Sequence, residues 1–156
     1  MDNLDRRAAL AVFAAAAAAP ILGWEPAAAA VPAPTMWRDP GCGCCTGWAK
    51  KIEAALGLRF KVVDSPDMAA VKNARGVPAD LRSCHTALIG GYVVEGHVPP
   101  EDIKRLLATR PAGAAGLATP GMPTGSPGME MGTHREPYRV FAFDRSGHRS
   151  VFASHG

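Results

Sequence analysis

The sequence is poor in aromatic residues and in charge, and it lacks most of the short motifs that mark enzymes. Of its 156 residues, 6% are aromatic and 20% are charged, and the net charge is +3 at pH 7. This surplus of positive charge is small and scattered along the chain, whereas nucleic-acid-binding proteins carry a clustered basic patch. We therefore expect no nucleic-acid partner. The glycine-rich phosphate loop, the G-x-S-x-G elbow, the H-E-x-x-H helix and a defensible pair of carboxylates are all missing. These absences argue against nucleotide, serine-hydrolase and zinc-protease chemistry.

The first thirty residues predict an export signal. Arg6 and Arg7 precede an alanine-rich apolar run, and small residues surround the expected cleavage point near Ala30. Prolines and a glutamate interrupt the run, whereas a membrane span needs about 18 or more apolar residues, so no stable anchor is expected after cleavage. The paired arginines suit a twin-arginine signal, and an ordinary Sec signal is an equal alternative. We therefore expect residues 1–30 to be removed and the mature protein to be periplasmic.

Hydrophobic periodicity predicts alternating strands and helices over residues 31–111. The predicted elements are a strand at 36–38, a helix that ends at Gly57, a strand at 58–63, a helix that starts at Ser65-Pro66-Asp67, a hairpin of 86–89 and 92–95, and a helix from Pro100 to Pro111. This order, a βαβ unit followed by ββα, predicts an α/β domain with a thioredoxin-like fold.

The composition changes after residue 111. Residues 112–133 are rich in Gly, Pro, Ala, Met and Thr, which predicts an extended loop lying on the domain. Alternation over 138–143 and 148–153 predicts a C-terminal β-hairpin. We therefore expect residues 31–111 to form a thioredoxin-like metal-binding domain, with residues 112–156 as a loop and hairpin packed on it.

Three of the four cysteines, Cys42, Cys44 and Cys45, fall within four positions. They form overlapping C-x-C and C-x-x-C motifs just before a predicted helix, where backbone N–H groups and the helix dipole stabilise thiolates. In a thioredoxin-like fold the segment that enters the hairpin passes close to this turn. We therefore expect Cys84 to face the other three cysteines.

Thiolates that converge on one point indicate a soft metal ion. Cu(I) is the softest common candidate and accepts two or three thiolates, which suits an uneven set of three plus one. Zinc is less favoured, because Cys₄ zinc sites typically use two separated C-x₂₋₄-C pairs; a zinc-stabilised structural module stays an alternative. A second alternative is that the cysteines form two structural disulfides, Cys42–Cys45 and Cys44–Cys84. The first of these closes too short a loop to stabilise the fold by much. A third alternative is a thiol–disulfide oxidoreductase that uses Cys42 and Cys45.

Weaker ligand candidates lie near the fourth cysteine and in the loop. His85 is a candidate ligand or a hydrogen-bond partner that tunes the neighbouring thiolate. Met122, Met129 and Met131 offer soft thioethers that need no deprotonation. They either cap the cysteine site or pin the loop to the domain. His97 is expected to hold the turn before the third helix by a hydrogen bond rather than to bind metal.

Several motifs follow one another in order along residues 36–131. They are Asp39-Pro40-Gly41-Cys42-Gly43-Cys44-Cys45, Gly76-Val77-Pro78, Ser83-Cys84-His85-Thr86-Ala87, Gly91-Tyr92-Val93-Val94-Glu95-Gly96-His97-Val98-Pro99, and Pro120-Gly121-Met122-Pro123. Together they resemble the CopG-type family of periplasmic metal-binding proteins, associated with bacterial copper tolerance and long described as a domain of unknown function.

The resemblance implies a thioredoxin-like domain with a copper site built from Cys42, Cys44, Cys45 and Cys84. It also implies a periplasmic protein that handles copper, with exchange between Cu(I) and Cu(II) and with other periplasmic copper-handling proteins as partners. The motifs leave open whether the protein is an enzyme that acts as a copper- or thiol-dependent oxidoreductase.

Overall fold

A computed structural model describes residues 32–156, so the predicted signal, residues 1–30, lies outside the described residues. The elements are β1 (Thr35–Arg38), α1 (Gly43–Leu56), β2 (Lys61–Asp64), α2 (Met68–Ala74), a 3₁₀ turn (Ala79–Leu81), β3 (His85–Ile89), β4 (Tyr92–Glu95), α3 (Pro100–Thr109), β5 (Ala114–Ala118), β6 (Tyr138–Asp144) and β7 (Arg149–His155). The strands form one mixed sheet in the order β2-β1-β3-β4-β5-β6-β7. Among the described helices, none has the length and apolar character needed to cross a bilayer.

Helix α1 forms because its apolar residues share one face. The buried residues are Cys45, Trp48, Ala49 and Ile52. Their i, i+3, i+4 and i+7 spacing gives one stripe that packs toward the sheet. The helix ends where the sequence predicts, at Gly57, whose φ of 66° is left-handed and whose N–H donates to the carbonyl of Glu53. Because the buried stripe begins at Cys45, it also holds the cysteine-bearing start of α1 against the sheet.

Helix α2 begins later than the sequence predicts. It starts at Met68, and its N-cap is Asp67, whose carboxylate accepts from the Ala70 N–H at 2.8 Å. Ser65, the predicted cap, instead accepts from the Asp67 N–H at 3.3 Å. Ser and Asp cap helices about equally well, but the Asp carboxylate also interacts favourably with the positive end of the helix dipole.

Helices cover both faces of the sheet, and two apolar clusters result. The larger cluster packs α1 and α3 against residues such as Met36, Ala87, Val94, Leu117 and Val140. The smaller one contains Val77, Leu81, Val93, Ala118 and Phe143. Val93 and Val94 fall into different clusters because neighbouring residues of a strand point to opposite faces. Helix α2 contacts β1 and β3, and the Arg75 guanidinium lies 4.2 Å from the centre of the Trp37 ring.

The expectation of a continuous loop over residues 112–133 is wrong at its start. Residues Ala114–Ala118 form β5, which pairs parallel with β4 and antiparallel with β6. Alanine and glycine are weak strand formers, so the pattern does not indicate a strand. Gly116 is needed here, because a Cβ would lie 2.0 Å from the Val93 carbonyl oxygen. The predicted hairpin, β6–β7, extends the same sheet beyond β5, and the irregular segment between β5 and β6 comprises residues 119–137.

Candidate metal centre

The cysteine turn joins the end of β1 to the start of α1. Cys42 is the N-cap of α1, and Cys44 and Cys45 lie in its first turn. The turn is closed by the Cys42 N–H, which donates to the Asp39 carbonyl at 3.2 Å. Arg38, the last residue of β1, donates from Nη1 to the Cys42 carbonyl at 3.1 Å. Backbone and guanidinium together fix the positions from which the three sulfur atoms project.

Cys84 reaches this turn through the pairing of β3 with β1. It lies just before β3, and the antiparallel register sets His85 opposite Arg38. The Cys84 Sγ is 3.7 Å from the Cys45 Sγ and 4.0 Å from the Cys44 Sγ. The predicted meeting of two distant stretches of chain is confirmed, whereas metal binding at that point stays a prediction.

The four sulfur atoms are in two redox states. Cys42 and Cys45 form a disulfide, and Cys44 and Cys84 are free thiols. The alternative of two disulfides is therefore wrong for this structure. The Cys42 and Cys44 sulfurs are 3.4 Å apart, and all four sulfurs lie within 4.8 Å of one another. Once the disulfide is reduced to two thiols, four thiolates can face a common metal centre.

Two buried histidines flank Cys84. Its Sγ lies 3.4 Å from Nδ1 of His85 and 3.0 Å from Nε2 of His97. The Pro127 carbonyl oxygen is 2.8 Å from Nδ1 of His97. A carbonyl can only accept, so Nδ1 of the neutral ring carries the proton and Nε2 presents its lone pair to Cys84. Burial lowers the pKa of both histidines, which keeps them neutral and able to bind a metal.

His97 is the candidate that sequence reasoning missed as a site residue. The expected hydrogen bond exists, but it runs to the loop through Pro127, and the other ring nitrogen faces Cys84. A signal was present in the predicted Gly90-Gly91 turn. Counting outward from it, Thr86 pairs with Glu95. Two residues further along each side of the hairpin, just beyond the strands, Cys84 lies beside His97. The register, rather than any local motif, brings the pair together.

An apolar wall closes the site on the side of α1. The Trp48 ring lies 4.3 Å from the His85 ring between centres, and its Nε1 donates to the Val98 carbonyl at 2.9 Å. Nε2 of His85 is buried and has no hydrogen-bond partner within the described part of the chain.

Burial, then the charge of Cys44, raises the pKa of Cys84 to about 12. The metal-free Cys84 is therefore a thiol, and a metal that binds it must displace a proton.

Besides the Pro127 carbonyl beside His97, the irregular segment at residues 119–137 borders the cysteine site at two further points. At one, the Ser83 hydroxyl donates to the Gly121 carbonyl, directly beside Cys84 in sequence. At the other, Gly128 packs on α1, where an added Cβ would lie 2.7 Å from the Cys44 carbonyl oxygen. The segment therefore contacts both stretches of chain that carry the cysteines.

The three methionines of this segment differ in exposure. Met122 is 52% exposed and Met131 is 68% exposed, whereas Met129 is partly buried. Met129 belongs to a tight turn, in which its N–H donates to the Ser126 carbonyl at 2.8 Å and its own carbonyl accepts from Gly125 at 2.9 Å. An exposed thioether can meet an incoming ion. Metal binding by these methionines stays a prediction.

We expect Gly128→Ala to destabilise the protein more than Gly121→Ala. Both glycines have positive φ, +85° and +68°, so an alanine at either carries about 1–2 kcal/mol of backbone strain. Only the Gly128 Cβ would also collide, at 2.7 Å, with the Trp48 N and the Cys44 carbonyl oxygen, which adds about 1–3 kcal/mol. Urea unfolding of the two metal-free variants measures the difference. Equal losses would show that the segment does not pack on α1 in solution.

Comparisons with known proteins identify the family of the chain. A family model described as "Protein of unknown function, DUF411" matches residues 81–129, the stretch with Cys84 and both histidines. Two solved structures named copper resistance protein CopG, form 1 and form 2, are 47% and 46% identical to the chain. They align with 79% and 80% of this chain and 96% and 98% of their own, with TM-scores of 0.73 and 0.74. No curated protein gives a significant match. The resemblance found in the sequence is confirmed, and the chain belongs to the CopG family of copper resistance proteins.

Proposed function

We propose that the protein binds Cu(I) through the thiolates of Cys42, Cys44, Cys45 and Cys84, and that it sequesters the ion or buffers its redox state. The observation that carries the proposal is the convergence of all four sulfurs to within 4.8 Å of one another. The names of the two solved relatives support copper as the metal and tolerance to it as the role.

The donor set favours Cu(I) over zinc. Soft thiolates select Cu(I), and Cu(I) accepts two or three of them. The sulfurs come from two unequal stretches, with three on one turn and one on the other, rather than from the two C-x₂₋₄-C pairs typical of structural zinc sites. His85 and the three loop methionines remain the weaker candidate ligands, and His97 joins them through its Nε2.

We further propose that the protein works in the periplasm on a thioredoxin-like unit. The Cys42–Cys45 disulfide supports an oxidising compartment, which agrees with residues 1–30 being an export signal. The sheet order β2-β1-β3-β4 and the position of the cysteine turn between β1 and α1 support the fold assignment. Residues 112–156 then act as an extension that adds three strands and the bordering loop.

A second function, thiol–disulfide exchange, is favoured by one observation. The C-x-x-C cysteines are already joined as a disulfide at the start of a helix. Its reduction to two thiols consumes two electrons and two protons, and a dithiol substrate or the oxidation of two Cu(I) ions to Cu(II) would supply the electrons. An insulin-reduction assay on metal-free protein tests this function; no turnover argues against it.

The experiment that tests copper binding is a competition titration. Fully reduced protein is titrated anaerobically with Cu(I) against a chelator of known affinity, and the bound copper and zinc are then counted by elemental analysis. We expect retained copper and little zinc when both metals are offered. Copper lost entirely to the chelator, or zinc bound in preference, would contradict the proposal.

A further inference from the structure

We propose that Arg38 is a positioning residue that keeps Cys42 in place once the Cys42–Cys45 disulfide has been reduced to two thiols. The inference rests on the proposed function, because it explains how the reduced site stays arranged for a metal. Arg38 itself offers no ligand atom. It acts through the backbone of Cys42.

The backbone around Cys42 does little by itself to hold this residue in place. Its two neighbours, Gly41 and Gly43, are both exposed, and a Cβ added at either would meet nothing within 4 Å. Glycine has more conformational freedom than any other residue. Cys45, by contrast, is fully buried in the stripe of α1 that faces the sheet. Reduction therefore removes the covalent tie from a cysteine that packing does not replace.

The Arg38 guanidinium supplies a tie that does not depend on the disulfide. Its Nη1 donates to the Cys42 carbonyl at 3.1 Å and to the Thr46 hydroxyl, and its Nε donates to the Asp64 carboxylate at 2.9 Å. The Thr46 hydroxyl and the Thr46 N–H also donate to the Cys42 carbonyl, at 3.2 Å and 3.3 Å. One side chain thereby connects the ends of β1 and β2 to the first turn of α1.

The planar shape of the guanidinium matters more here than its charge. Arginine presents its N–H donors in a fixed plane, whereas the ammonium of lysine is a single point on a flexible stem. The Arg38 side chain is only 18% exposed, so water competes weakly for these hydrogen bonds. Arg38→Lys is therefore expected to keep the positive charge and to lose the anchoring of Cys42.

The first test needs no metal. It follows the exchange of the Thr46 amide hydrogen by NMR, because this N–H donates to the Cys42 carbonyl. Losing a hydrogen bond to a charged group changes an equilibrium by about tenfold or more, so we expect exchange in reduced Arg38→Lys to be about tenfold faster than in reduced wild type. In the oxidised protein the disulfide still holds Cys42, and we expect a change of less than about twofold.

The second test asks whether Arg38 acts through Cys42. Reduced protein is titrated anaerobically with Cu(I) against a chelator, and Arg38→Lys is expected to weaken binding at least about tenfold, as substituting the partner of a metal ligand typically does. In a Cys42→Ser background the same substitution is expected to change the affinity less than about twofold, because the residue that it positions no longer binds. The control is Arg59→Lys, at an exposed arginine 3.5 Å from Glu53, which is expected to change neither measurement.

Asp64→Ala is a second variant that tests the same anchor from outside the cysteine turn. The Asp64 side chain is 50% exposed at the end of β2, so its removal leaves the core untouched. It frees one end of the Arg38 guanidinium, and exposed ion pairs contribute little, so we expect Cu(I) binding to weaken by only about two- to fivefold.

The possible results separate this inference from the proposed function. Unchanged exchange at Thr46 in reduced Arg38→Lys, or unchanged copper affinity, would overturn the inference and leave the proposed function standing. A loss of affinity that persisted in full in the Cys42→Ser background would give Arg38 a general structural role and would also contradict the inference. Wild-type protein that bound no copper would overturn the proposed function, and the exchange measurement would still decide whether Arg38 holds Cys42.

Discussion

Replacing Cys84 by Ser is expected to lower the Cu(I) affinity of the reduced protein by more than about 100-fold. Substituting a partner of a metal ligand already costs about 10- to 100-fold, and the loss of a ligand should exceed that range. Cys84 is the single sulfur supplied by the second stretch of chain, and it lies within 4.0 Å of Cys44 and Cys45 and 3.0 Å from His97. The remaining three thiolates share one tight turn and cannot enclose an ion from opposite sides. The competition titration with a Cu(I) chelator measures the effect.

The unfolding curve of metal-free Cys84→Ser serves as the control. Serine is nearly isosteric with cysteine, so we expect the variant to fold with a stability within about 1–2 kcal/mol of wild type. A folded variant that kept wild-type copper affinity would remove Cys84 from the site and, with it, the idea of a centre that joins two distant stretches.

Replacing Glu95 by Leu is expected to lower the free energy of unfolding by about 3–5 kcal/mol, because it leaves a buried charge without its partner. The Glu95 carboxylate is fully buried, and its Oε1 lies 2.6 Å from the Lys72 Nζ. It also accepts from the Ser83 N–H at 2.6 Å and from the Thr86 hydroxyl at 2.6 Å. Chemical denaturation of the metal-free protein measures the loss. Because Ser83 precedes Cys84, the variant is also expected to bind Cu(I) more weakly.

The matched control is the double variant Lys72→Met/Glu95→Leu. Burial raises the pKa of Glu95, and Lys72 and the hydrogen bonds offset that effect only in part. Replacing both charges with apolar residues often costs little, since the desolvation penalty leaves with them. We therefore expect the double variant to recover much of the lost stability. A Glu95→Leu variant within about 1 kcal/mol of wild type would show that the ion pair is not buried as described.

Local features of the chain could be predicted because they depend on neighbours in sequence. The apolar stripe of α1, the left-handed Gly57 that ends it and the Gly90-Gly91 hairpin all follow from spacing and from the conformational freedom of glycine. The crowding of Cys42, Cys44 and Cys45 is also a property of the sequence itself. For the same reason, periodicity predicted the order of the first seven helices and strands correctly.

Two features depended on contacts between distant residues. Strand β5 exists because Gly116 lets the backbone approach Val93, and nothing in the alanine-rich segment itself marks a strand. His97 becomes a site residue through the β3–β4 register and through the Pro127 carbonyl, thirty positions away.

The sequence by itself determined that this chain offers a soft-metal donor set, because residue type and spacing decide which atoms are present and which stretch of helix or turn carries them. The tertiary structure alone decided which of those atoms meet. It joins Cys42 to Cys45, leaves Cys44 and Cys84 as thiols 4.0 Å apart, and sets the imidazole of His97 beside Cys84. The physical reason is that strand pairing and burial act between residues far apart in the chain, whereas periodicity reports only on those close together.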